Sequence, residues 1–276
     1  MAAMRIDGGP FELGEGPHFD RAIGTAWWLD IAGQALVEHR FAAQQSRIHP
    51  LPRMASLVAR IDDDSQLLAM DDGLYRRALA SGRLERLVAL EEDRPENRSN
   101  DGRVHPSGRL WIGTMGRRAE PEAGAIYWSD GIAIRRLFPG ITIPNGICFS
   151  DDGRTAFFAD SARDIVWRVA TDPASGLPAG EPEPFLTAAN LPTGGHFDGS
   201  VIDADGVMWN AAWGAGAVNG FAPDGTVVKS FAVPARQVTC PCFVGPGLDR
   251  MLVTSAFEGM DAAARLADPG AGHVFV

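Results

Sequence analysis

The chain has 276 residues, 45% of them hydrophobic and 22% charged, with a formal net charge of -10 at pH 7. That size and composition support a large buried core in a soluble globular protein, and the scattered basic residues exclude the electrostatic footprint of a nucleic-acid or anionic-membrane binder. No apolar run approaches a membrane span and MAAMRIDGGPFELGEG has no stretch fit for a signal peptide, so a cytoplasmic protein is expected, working as a monomer.

Along the chain, helical periodicity is nearly absent, and 32 glycines and 19 prolines punctuate short apolar runs. TAWWLDI, RLWIGTM, RTAFFAD and VMWNAAW read as strands between turns, which makes the chain all-β. A turn residue precedes such a run at Gly24, Ser65, Gly108, Gly153, Gly206 and Gly247, at intervals of 41, 43, 45, 53 and 41 residues. Intervals near those of a four-stranded propeller blade predict a six-bladed β-propeller formed as a single domain over 1–276. Each marker is then the hairpin between a blade's first and second strands, and TDPASGLPAGEPEP is a loop-like insertion. A β-sandwich or a two-domain β protein is the alternative. The three cysteines, Cys148, Cys240 and Cys242, match no zinc or redox spacing and are expected to be buried, reduced packing residues.

The polar residues share a phase. Eight residues before three of the markers stand Asn100, Asn145 and Asp198, nine before Gly24 stands Glu15, and the remaining two repeats carry Ser56 and Thr239. Singly, Asn145-Gly146 or Asp198-Gly199 would read as a turn former. Sharing one phase in four repeats, these oxygen-bearing side chains are expected at one height around a central channel, where they would form a cation site. Arg98 and Asn100, two apart on an extended segment, point the same way and suit a polyhydroxylated ligand.

Five segments in order, LGEGPHFD, NRSNDGRVHPSGRLWIGTM, IPNGICFSDDGRTAFFAD, FDGSVIDADGVMWNAAW and VTCPCFVGPGLDRMLVTSAFEGM, carry a resemblance to the senescence marker protein/gluconolactonase/regucalcin family. The resemblance implies six-bladed propellers that hydrolyse sugar lactones, with Glu15, Asn145 and Asp198 as ligands of a divalent metal. It also implies Asp198 as general base and Arg98 and Asn100 as substrate contacts. Family members often have an acidic residue shortly after the GTM tripeptide; here Gly116-Arg117-Arg118 follows, with Glu120 and Glu122 arriving later, and Glu120 is expected as a third substrate contact. His105 and Phe197 stand where the family commonly has Asp and Pro.

Two carboxylates and one amide oxygen suit Ca²⁺, Mg²⁺ or Mn²⁺, while the resemblance also implies Zn²⁺ or Fe²⁺. Three protein ligands leave positions for water and substrate, the arrangement of a catalytic ion. Asp198 either takes the proton of the attacking water or orients a water that the cation activates, since a carboxylate on a dication is a weak base. His18 and His196 are candidate supporting groups, and Trp213 and Phe257 candidate stacking faces, with wall packing the blander role for both rings. No G-x-S-x-G, H-E-x-x-H or P-loop motif occurs, which leaves serine hydrolase, zincin and P-loop readings without support. A metal-propeller esterase or phosphotriesterase, and a non-catalytic calcium-binding or interaction propeller, are the alternatives to a lactonase.

Overall fold

The structure, a computed structural model, describes residues 3–276; the first two residues of the predicted domain span lie outside it. Six four-stranded antiparallel sheets follow one another along the chain. Their first strands, Gly14–Asp20, Ala55–Arg60, Asn97–Val104, Pro144–Phe149, His196–Ile202 and Val238–Val244, each contact the next and close a ring around a central channel. All six sequence markers fall at, or at the end of, the hairpin between first and second strands, as the repeat predicts.

Strands near the axis are buried on both faces, because each blade packs against the next. Thr25–Asp30 and Leu110–Gly116 are therefore buried throughout and read as unbroken apolar runs. Trp28, Trp111, Phe158, Phe197 and Phe221 fill the layers between blades, each worth roughly 1.5–3 kcal/mol of burial. The outermost strand Val227–Ala232 is exposed throughout.

The insertion between Ile165–Ala170 and Glu183–Thr187 reaches back over the preceding blade. The indoles of Trp111 and Trp128 donate to the carbonyls of Gly176 and Ser175, both at 2.8 Å. Two features lie outside the sequence reading. The sixth sheet takes its outer strand, Arg5–Ile6, from the start of the chain, paired with Val274–Phe275. A short helix, Ala262–Ala267, follows the sixth blade's second strand, with Asp261 accepting from the Ala264 N–H at its N-terminus. Among the described residues no helix is long and apolar enough to cross a membrane.

Candidate active site

Every inner strand breaks register at the same place. The shifts fall between Glu15 and His18, Ala55 and Leu57, Ser99 and Gly102, Asn145 and Cys148, Phe197 and Ser200, and Val238 and Pro241. A bulge bends the strand and re-aims a side chain that regular pleating would direct elsewhere. Glu15, Ser56, Asn100, Asn145, Asp198 and Thr239 all sit at this bulge, which is the physical meaning of their shared phase. The glycines that follow serve the bulge rather than a turn. Gly16 has φ of 55°, and a Cβ there would lie 2.4 Å from the Ser56 carbonyl oxygen, because neighbouring inner strands nearly touch.

The polar side chains are buried and linked across blades. Asn100 Nδ2 donates to Asn145 Oδ1 at 2.8 Å and to the Pro144 carbonyl at 2.9 Å. Asn100 Oδ1 in turn accepts from Arg98 Nη1 at 2.7 Å. Asn145 Nδ2 donates to Ser161 Oγ at 2.9 Å, which fixes the amide with its oxygen turned toward Asn100. Ser56 and Thr239 close the ring with short hydroxyl bonds to Ser99 Oγ and to the Gly14 carbonyl.

The carboxylates are less well served. Glu15 Oε2 accepts the Gly16 N–H at 2.9 Å, and Asp198 Oδ1 is buried without a hydrogen-bond partner. Burial, then the charge of Asp101, pushes Glu15 up to about 8. Burial, then Glu15 and Asp101, hold Asp198 well above the usual carboxylate range. Asp101 ties two blades, accepting from Gly102 and Ile147 N–H at 2.8 and 2.7 Å, and burial pushes it up to about 6.

These residues fit a divalent cation. Glu15, Asp101 and Asp198 face the buried Arg98 and the half-buried Arg103 as cations, so the cluster is one positive charge short when all are ionised. The raised carboxylates and the orphaned Asp198 oxygen express the same deficit. The donors are two carboxylates and one amide, and no cluster of three or more His, Cys, Asp or Glu side chains suited to a metal occurs among the described residues.

Other sequence-selected residues lie outside this hydrogen-bonded cluster. Glu120 lies in the turn after Leu110–Gly116, bonded through Oε1 to Arg118 Nε at 3.0 Å, and has no hydrogen bond to Arg98 or Asn100. His105 sits at the far end of its strand, where its ring nitrogens meet Ser107 Oγ and the Gly153 carbonyl in a structural turn. His196 Nδ1 meets Asp164 at 3.0 Å on the surface. Trp213 packs against the apolar cluster containing Leu13 and Ala256, and the Phe257 ring is covered by the Arg265 guanidinium at 3.8 Å. The three cysteines are free and buried.

Sequence reasoning singled out His18 but missed Arg103, which joins it in a second layer below the bulge. Arg103 is half-buried, donates through Nη2 to the Ser200 carbonyl at 2.7 Å and lies 3.9 Å from Cys240 Sγ. His18 lies beside it, with burial and then the Arg103 charge pushing its pKa down to about 4. Both line a cavity of about 240 Å³ that also touches Arg60 and Asp101. The signal was in the sequence: His18 and Arg103 lie three residues after Glu15 and Asn100, one step further along the same strands.

Comparison with known proteins agrees with this architecture. The family profile of the SMP-30/Gluconolactonase/LRE-like region matches residues 13–257. A Rhizobium meliloti (strain 1021) protein provisionally named a sugar lactone lactonase is 53% identical over 96% of this chain and 89% of its own. The L-arabinolactonase of Azospirillum brasilense is 35% identical over 96% of this chain and 87% of its own. Among solved structures, a calcium-binding protein, regucalcin, from Agrobacterium tumefaciens superposes with a TM-score of 0.96 at 48% identity, covering 99% of this chain and 92% of that one.

Proposed function

The chain belongs to the SMP-30/gluconolactonase/LRE-like family, and from that premise we propose that it is a lactonase that opens a sugar lactone to the hydroxy acid at the bulge cluster, with a divalent cation held by Glu15, Asn145 and Asp198. The observation that carries this reading is the convergence of Glu15, Asn100, Asn145 and Asp198 on one bulge level in four blades. The names of the relatives supply the lactone. Bound there, a divalent cation supplies Lewis-acid polarisation of the ring carbonyl and stabilises the charge that develops on its oxygen.

The protein's own groups do the rest. Asp198 Oδ1, bonded to nothing in the protein, orients the attacking water and receives its proton. As water oxygen bonds to the carbonyl carbon, the ring C–O bond breaks and Asp198 returns the proton to the departing ring oxygen. The product is an open-chain hydroxy acid, whose carboxyl group ionises at neutral pH. Arg98 and Asn100 hold the sugar: Nη1 of Arg98 is spent on the Ser99 carbonyl and on Asn100 Oδ1, and Nε and Nη2 remain for substrate hydroxyls. Burial of the cluster keeps these charges in a low-dielectric setting where fixed dipoles act strongly.

The test is acid release in a pH-stat from a panel of aldonolactones. Release above the spontaneous rate from at least one member is expected, and none from any member would overturn the assignment.

A further inference from the structure

Arg98 is a buried guanidinium with no carboxylate oxygen within 4.0 Å among the described residues. Its strongest charged neighbour is Glu258, which also acts on Asp198. Buried arginines are rarely left unpaired, so the gap between the two charges calls for an explanation.

Glu258 is positioned by backbone geometry. The inner strands begin, and the second strands end, at the site end of the ring, and Glu258 follows the sixth blade's second strand, Arg250–Ser255. Its segment is firmly mounted. Ala256 N–H donates to the Gln237 carbonyl, Phe257 N–H to the Glu12 carbonyl, and Gln237 Nε2 to the Glu258 carbonyl at 3.2 Å. The Glu258 side chain is exposed, and its carboxylate has no hydrogen-bond or ion-pair partner among the described residues.

We propose that Glu258 is a specificity-determining residue, the acceptor half of a clamp whose donor half is Arg98, with lactone hydroxyls bridging the gap between them. A hydroxyl both donates and accepts, so it satisfies a carboxylate on one side and a guanidinium on the other. The opposite charges attract without forming an ion pair, and a hydroxyl set between them would satisfy both halves. This inference rests on the lactonase reading and deepens it.

The experiment compares D-glucono-1,5-lactone with unsubstituted δ-valerolactone, using wild type, Glu258→Gln and Glu258→Ala. The expected result is a fall of about 10-fold in the ratio of the two kcat/KM values in each variant, carried mainly by KM for the sugar lactone, as for one hydrogen bond to a charged group. The double variant Arg98→Gln/Glu258→Gln should lose less than the product of the single losses, since either change opens the same clamp. An unchanged ratio, or an equal loss on both substrates, would overturn the clamp while leaving lactone hydrolysis intact. A wild-type protein that opens neither lactone would overturn the parent assignment and this inference together. Melting curves of both variants identify any loss due to misfolding, and Glu258→Gln keeps the side chain's shape.

Discussion

Removing divalent cations with a chelator and raising the pH from 6.5 to 8 should destabilise the protein, and the sign follows from the buried carboxylates. Glu15 ionises at about 8 in the folded chain against an ordinary value of 4.5, so its protonated form is the one the fold favours. Its contribution is complete below 4.5 and is lost as pH rises through the folded value. His18 works the other way: its value falls from 6.5 to about 4, so its contribution grows with pH up to 6.5 and is constant above. The window from 6.5 to 8 therefore isolates the carboxylates. A single group titrating fully differently in the two states costs about 1.4 kcal/mol per pH unit, or roughly 2 kcal/mol over this window. For a chain of this size that lowers Tm by about 4–8 °C. Scanning calorimetry of the metal-free protein at several pH values measures it, and a saturating divalent cation should flatten the dependence. Glu15→Gln, which cannot ionise, should lose part of the slope. A metal-free Tm that is flat or rising across the window, or a full slope in Glu15→Gln, would refute the argument.

Other consequences are direct. Ser161→Ala frees the Asn145 amide from its 2.9 Å anchor, and calorimetric titration should show cation binding weakened by about 10-fold, the size typical of support for a ligand. Replacing Cys148 or Cys240 with Ala should lower Tm while leaving cation affinity within about twofold; a selective loss of cation with Tm unchanged would contradict their packing role. Gly16→Ala forces a side chain into a positive φ against the Ser56 carbonyl and should destabilise by about 1–3 kcal/mol, read from denaturant midpoints.

How much was legible in the chain depends on how local the cause was. The hairpin glycines and the apolar runs of inner strands are local signals repeated six times, so the blades and their order could be read. The shared level of Glu15, Asn100, Asn145 and Asp198 could be read too, from their common distance to the hairpin markers, whereas the bulge that re-aims them could not, since Asn145-Gly146 and Asp198-Gly199 read singly as turn formers. The closing strand Arg5–Ile6 could not be read, since two residues carry no period and their partner lies at the other end of the chain. Glu120 stands near the right tripeptide in sequence, but in the fold its carboxylate is bonded to Arg118. Glu258 and Arg103 gain meaning only from neighbours on other blades, which no single stretch displays.

The central claim, that the bulge cluster is a cation-dependent lactonase site, is tested by acid release from a sugar lactone as a divalent cation is titrated into chelator-treated protein. Activity should be absent at the start, rise linearly and level off at one cation per chain, while Asp198→Asn stays inactive throughout. Full turnover in the exhaustively chelated protein, or in Asp198→Asn, would contradict it.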